Sequence, residues 1–306
     1  LSPGGRGAGG EGESCRFPTS DLAGFVRARN AGLAARHAQW LAGLPAELTL
    51  ERLRDEAARC GDAQLARVVR EYLPLTFSRR HGDPSRPWNS FAIHIRDEAG
   101  NPVYGYQGNW RDIFQNWEGL AQSFPAALES MIAVFLNAST ADGYNPYRLT
   151  RDGVDWEVHN PRDPWSHIGY WGDHQIVYLL RLIESCERFY PNRLAAGLRE
   201  ETCAYAHVPY EIAGFDAILA DPRHTIAFNA AQHERLIARA AERGADGKLL
   251  ADANGEVRLV SLAEKLLVPL LAKLSNFVPE GGIWLNTQRP EWNDANNALA
   301  GWGLSV

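Results

Sequence analysis

The spacing of its apolar residues constrains this chain more than any other feature. Behind a candidate N-cap at Ser20 or Asp21, Leu22, Phe25 and Val26 and then Leu33, Trp40 and Leu41 recur at helical intervals. Two shorter helical patterns, "ELTLERLRDEAARC" and "DAQLARVVREYL", follow and are parted at Gly61. The pattern predicts further helices over 111–123, over 125–138 with Leu128, Met131, Ile132 and Phe135 inward, over 226–243 and over 259–277. A strongly amphipathic helix is expected over 172–189, with Ile176, Val177, Leu179, Leu180 and Ile183 on its buried stripe. A last one begins near Asp294, with Ala295, Ala298, Leu299 and Trp302 on one face. Only short hairpins interrupt them: "SFAIHIRDEAGNPVYGY" turning at Gly100-Asn101, then turns at Asp152-Gly153 and Asn254-Gly255. There is neither the strand–helix alternation of a parallel sheet nor a repeat, so the expected class is all-α, built of antiparallel helix pairs.

Composition excludes several functions. The chain has 306 residues, 45% hydrophobic and 22% charged, which is globular and long enough for a sizeable core. Its formal net charge is −6 with basic residues scattered, so nucleic acid is not an expected partner. No apolar run approaches the ~20 residues that cross a bilayer, so no membrane association is expected. The Gly-rich "LSPGGRGAGGEGES" opening lacks the apolar core of a signal peptide, and residues 1–19 read as a disordered lead-in to a domain over 20–306. Four dispersed cysteines without a CxxC pattern read as free thiols and point to a reducing, cytoplasmic setting. The chain ends inside a helical pattern, and the expectation is a domain truncated at its C-terminus.

Six of the ten tryptophans fall between positions 88 and 171. Indole faces stack on the C–H faces of sugar rings while neighbouring Asp, Asn, Arg and His bind hydroxyls, so loop tryptophans such as Trp110, Trp165 and Trp171 suggest a carbohydrate site. The alternative for any one of them is core packing. "YGYQGNWRDIFQNWEGL" sets Arg111 and Asp112 where a loop enters a helix, as a cap with its ion pair or as a clamp on adjacent hydroxyls. "DPWSHIGYWGDHQIVYLL" repeats the design with Asp173 and His174. Metal binding by His167, Asp173 and His174 is not expected, because no HxxxH or HExxH spacing is present. Near the end, "RPEWNDANNAL" gathers Glu291, Trp292 and Asp294, either a helix cap or a proton-donor loop.

Three of these stretches together resemble the cellobiose-phosphorylase family. "NWRDIFQN" at 109–116 looks like that family's RDxxQD segment, "WGDHQIVYL" like its Asp-rich entry to the next inner helix, and "EWNDANNAL" like its DWNDGMN loop. They come in the family's order and span about 90–306. The departures are Glu291 for Asp, Ala295 for Gly and Asn296 for Met. The resemblance implies an (α/α)6 toroid of helical hairpins, incomplete in this chain, with a sugar bound at one end. It further implies Asp294 as general acid and Arg111, Asp112 and Asp173 around the innermost sugar; the residues themselves add Trp110, Trp171, His174, Glu291 and Trp292 as substrate-binding candidates.

The expected function is a glycoside hydrolase or phosphorylase that cleaves an oligosaccharide or glycoside with inversion. No cofactor is expected, and phosphate is the co-substrate of the phosphorylase reading. The apolar wall of Trp292 and the charge of Glu291 would keep Asp294 protonated near neutrality. Within the chain Glu157 and Glu211 are candidates for the base. Two other classes stay open: a toroid sugar epimerase or polysaccharide lyase using His159, His167 or His174, and a non-catalytic carbohydrate-binding helical module. Nothing in the sequence assigns an oligomeric state.

Overall fold

The computed structural model describes residues 15–78, 96–100, 103–146, 148–158, 160, 162, 170–171, 175–221, 226–274, 277–280, 282–284 and 304–305. Strand β1 (Arg16–Pro18) is followed by α1 (Leu22–Arg29), α2 (Ala31–Arg36) and α3 (Ala38–Ala42), then by β2 (Glu47–Thr49), α4 (Leu50–Arg59) and α5 (Ala63–Arg70). β1 and β2 pair antiparallel and close the span that holds α1, α2 and α3. The first helical pattern of the sequence is thus three helices. Asn30 breaks it by taking an extended backbone, φ −154° and ψ 106°, and its Oδ1 accepts the Leu33 N–H at 2.9 Å to cap α2. Thr49 and Asp62 cap α4 and α5 in the same way. Asp21 stands at the head of α1 as expected, but it makes no capping bond and its carboxylate pairs instead with Arg151.

The remainder holds β3 (Thr76–Ser78), β4 (Gly105–Asn109), α6 (Trp110–Ser123), a 3-10 turn (Pro125–Ala127), α7 (Leu128–Asn137), β5 (Asn145–Pro146), β6 (Arg148–Thr150), β7 (Gly153–Asp155) and β8 (Tyr170–Trp171). After these come α8 (Gln175–Phe189), α9 (Arg193–Ala196), β9 (Tyr210–Ile212), α10 (Phe215–Ala220), β10 (Ile226–Phe228), α11 (Ala230–Arg243), a 3-10 turn (Ala245–Lys248), α12 (Leu262–Leu274), β11 (Phe277–Val278), β12 (Gly282–Trp284) and β13 (Leu304–Ser305). The hairpin at Asp152-Gly153 is present as β6–β7, and Gly255, φ +80°, turns the chain after Asn254. The sequence reading did not anticipate the four-stranded sheet β3-β4-β6-β7, whose first pair is parallel. Parallel pairing joins residues about thirty positions apart in the chain, and local turn chemistry does not report it.

The main core lies where α1, α4 and α5 meet α6, α7 and α8. Phe114 packs edge-on against Trp117 and tilted on Phe135, both with centroids at 4.6 Å, and Trp117 is fully buried against Tyr106. On α8 the buried residues are Leu179, Leu182 and Cys186, whereas Val177 and Leu180 are 50% and 53% exposed. The expected stripe is therefore rotated. "IVYLLRLI" is apolar on nearly every side, so its periodicity names a helix without naming the face that α6 and α7 take up.

A buried ionic hub fastens the first segment to the rest. Arg67 donates from Nη2 to Asp246 Oδ2 at 2.6 Å and from Nη1 to Glu71 Oε1 at 3.2 Å. Arg29 Nη2 lies 3.0 Å from Glu71 Oε2, Asn137 Nδ2 donates to Glu71 Oε1 at 2.8 Å, and Asn30 Nδ2 donates to Asp246 Oδ2 at 2.9 Å. Burial alone would lower the Arg29 pKa, but Glu71, Tyr106 and Asp246 outweigh it and raise the value. Burying four charges is tolerable only because each has partners at hydrogen-bond distance. A cavity of about 10 Å³ beside Arg29, Glu71 and Asn137 has room for a single water.

Candidate active site

The site predicted from sequence is assembled here from its backbone frame. β4 runs directly into α6, so Trp110, Arg111 and Asp112 occupy the first turn of that helix. Asn109, one residue earlier, pairs across the sheet with Arg148 of β6. Three residues before Arg148, Asn145 of β5 pairs with Trp171 of β8, which leads towards α8 at Gln175. β6 therefore borders the entry to α6 and β5 borders the strand preceding α8, and the two helices pack together. The backbone of Trp110, Arg111 and Asp112 thus follows a strand paired with β6, and that of Trp171 is paired with β5. Asp173, His174, Glu291, Trp292 and Asp294 lie outside the described residues, as do His159, His167 and Trp165. The chain approaches the last motif from α12 through the β11–β12 hairpin. The turn at Gly143, two residues before Asn145, packs on α12, where a Cβ would meet the Ala272 Cβ at 2.6 Å.

Two residues of β5 and β6 escaped motif reading. Asn145 is 5% exposed and its Nδ2, a buried donor, has no hydrogen-bond partner among the described residues. A water or a ligand hydroxyl would satisfy it. Arg148 pairs with Asp155, which Lys248 also reaches at 3.2 Å. Burial would raise the Asp155 pKa, but Lys248 and Arg148 together hold it below the usual carboxylate value. The register of the hairpin across Asp152-Gly153 sets Arg148 against Asp155, and that turn was the signal available in the sequence.

Other aromatic residues of the tryptophan-rich stretch serve packing. Trp117 is in the main core, and Trp156 is 6% exposed within a satellite cluster with Val208, Tyr210 and Leu236. The Trp156 indole donates to His233 Nδ1 at 2.9 Å, and Lys248 Nζ stands 4.8 Å from its ring centroid. Glu211 is exposed on β9 and accepts from Asn229 Nδ2 at 2.6 Å, and Glu157 is partly buried with its carbonyl accepting from the Tyr210 hydroxyl. No group of three His, Cys, Asp or Glu that could hold a metal occurs among the described residues. A separate cavity of about 250 Å³ is lined by Trp40, Leu44, Pro45, Leu48, Arg52 and Glu56, none of them a predicted site residue.

No curated protein matches the chain. The first segment, bounded in the structure by β1 and the end of α5, does match a family model: residues 18–74 correspond to glycoside hydrolase family 149 insertion domain 1. That match connects the chain to a carbohydrate-active, glycoside-hydrolase-related family.

Proposed function

We propose that the protein cleaves a glycosidic bond with inversion, by hydrolysis or phosphorolysis, with Asp294 as the general acid. The observation that carries this reading is the packing of α6 on α8, with the α6 entry following a strand paired with β6 and the Trp171 strand paired with β5. The match of residues 18–74 to a glycoside hydrolase family insertion domain supports it independently. In this proposal the helices that follow residue 75 belong to an (α/α)6 toroid, and the segment 18–74 is a module laid against it.

In the reaction Asp294 gives its proton to the departing glycosidic oxygen as the bond to the anomeric carbon breaks. Trp292 and Glu291 keep that acid protonated, one by excluding water and the other by its negative charge. Arg111 and Asp112 hold the hydroxyls of the ring under attack, donating and accepting respectively. Water activated by a carboxylate, or phosphate itself, attacks the opposite face; an inverting hydrolase sets its two carboxylates about 6.5–9.5 Å apart. Asn145, a buried donor with no hydrogen-bond partner among the described residues, lies on β5, and Arg148 lies on β6.

The test is incubation with β-linked gluco-oligosaccharides, with and without inorganic phosphate, followed by detection of free sugar or sugar 1-phosphate. Asp294→Asn is expected to lower turnover about 10²–10⁴-fold, the usual contribution of a positioned acid, while binding persists. Full turnover in that variant refutes the assignment of the acid. Saccharide binding without turnover in the unaltered protein leaves a binding module instead.

A further inference from the structure

The cavity beside Trp40 carries the chemistry of a sugar subsite. Trp40 stands on α3, half-buried, and among the described residues its ring has no stacking or cation partner and its Nε1–H no acceptor. Helix α4 adds Arg52 and Glu56, one turn apart, to the same lining. Arg52 Nε lies 3.7 Å from Glu56 Oε1, beyond hydrogen-bond distance, so the guanidinium donates to no protein group among the described residues. Glu56 Oε1 accepts from Arg59 Nη1 at 3.0 Å, while its Oε2 accepts from none of them. A flat apolar face, a donor fork and an open acceptor thus share a space of about 250 Å³.

The lining also selects the occupant. An indole stacks on the C–H face of a pyranose ring, and a guanidinium beside a carboxylate donates to one hydroxyl while the carboxylate accepts from its neighbour. The volume lies just below the ~300–1,000 Å³ of drug-sized ligands, the scale of one ring. Arg52 also lines a second cavity of about 370 Å³ with Thr49, Glu51, Asp55 and Arg59, so the next ring of a chain has a polar place to follow. Each cavity holds carboxylates and guanidinium groups in equal number, Arg52 with Glu56 in the first and Arg52 and Arg59 with Glu51 and Asp55 in the second. That balance disfavours an anion such as phosphate, and the charges themselves disfavour a lipid or an apolar helix. A proline-rich peptide seeks a groove lined by aromatic rings, and Trp40 is the one aromatic residue in either lining. A neutral, hydroxyl-rich ring with an apolar face meets each of these demands.

From these observations we infer that the cavity is a saccharide-binding subsite on the matched segment 18–74, taking one ring of a neutral oligosaccharide and built from none of the candidate active-site residues. The inference does not depend on the catalytic reading, because its test reads binding and not turnover. Isothermal titration calorimetry of the whole chain with maltohexaose, cellohexaose and laminarihexaose is expected to show binding of at least one. Trp40→Ala and Arg52→Ala are each expected to weaken one binding component at least about tenfold. Arg52 is exposed and joins the Thr49 cap through its backbone N–H, which the substitution retains, so that variant keeps its fold, as circular dichroism verifies. Arg188→Ala, at an exposed arginine of α8, serves as the control and leaves affinity unchanged. Binding at the candidate active site is common to all these proteins and does not alter the difference between them. Affinity unchanged in Arg52→Ala overturns the proposal, as does an equal loss in Arg188→Ala, and so does the failure of all three hexasaccharides to bind the unaltered protein. Failure of the Asp294 assignment shows instead as full turnover in Asp294→Asn, with the Trp40 and Arg52 effects on binding intact.

Discussion

Lys265 should set a slope in the pH dependence of stability. Its side chain is fully buried, its Nζ donates to the Ser139 carbonyl at 2.7 Å, and it lies 3.7 Å from the Tyr205 ring centroid. Burial lowers its pKa well below the ordinary lysine value, with Cys203 and Glu264 opposing. The ring contact favours the ammonium form by about 2 kcal/mol at most, less than the several kcal/mol of desolvating it, so the amine gives up its proton more readily in the folded protein than in the unfolded chain. The unfolded chain titrates near 10.4. Between the depressed folded value and ~10.4 the unfolded state therefore carries one more proton, and stability rises with pH by about 1.4 kcal/mol per unit. Lys265→Met abolishes that term. The Ser139 carbonyl stays satisfied by the Ala206 N–H at 2.9 Å. Urea unfolding of both proteins at pH values up to about 10 gives a difference in which other titrating groups cancel. The difference is expected to favour the methionine variant at the low end and to fall by ~1.4 kcal/mol per unit as pH rises. A flat difference would show that Lys265 is charged in the folded state and would refute the reasoning.

Two further substitutions and a titration bear on the same structure. Gly244 adopts φ 95° and ψ −164°, a region essentially restricted to glycine, and a Cβ there would stand 2.5 Å from the Ala28 carbonyl. Gly244→Ala is expected to cost at least about 1–3 kcal/mol in urea unfolding, whereas Gly119→Ala, in open space on α6, should gain about 0.5–1 kcal/mol. Equal effects would contradict the packing of the Gly244 turn. Burial pushes the Cys186 and Cys203 thiols up to about 11. Their contribution to stability is complete below the unfolded value of ~8.5 and is lost as pH climbs through about 11. In a native thiol titration Cys15, which is exposed, should react first and Cys60 next, with Cys186 and Cys203 reacting only on unfolding. Four rapid equivalents would disprove the burial of that pair.

What the sequence disclosed follows the range of the interactions involved. Helix positions depend on neighbours three or four residues away; α7, α11 and α12 fall within the spans that periodicity predicts, and α6 begins one residue before its span. The change of character at Pro74 coincides with the end of the matched segment 18–74. Faces were harder, because "IVYLLRLI" offers apolar residues all round and α12 turns its leucines outward, which no local pattern announces. The partner of Arg67 is 179 positions distant and the β3–β4 pair is non-local, so neither could be read from spacing. Of the candidate site, the described residues show the backbone of the first motif on α6 and of Trp171 on β8, and the third motif lies outside them. Asn145 and Arg148 owe their places to strand register, which residue type does not report.

The hub of Arg29, Arg67, Glu71 and Asp246 has a consequence for biosynthesis. Asn30 and Arg67 meet Asp246 across 216 and 179 positions of the chain. A ribosome adding about 5–20 residues per second needs on the order of 10–40 s to travel from one side of that contact to the other. During that interval Arg29 and Arg67 have Glu71 as a partner, while Arg67 and Asn30 still lack Asp246. Maturation of the early segment is set by the clock of translation rather than by its own local helices, and this is the stage at which chaperone protection matters most.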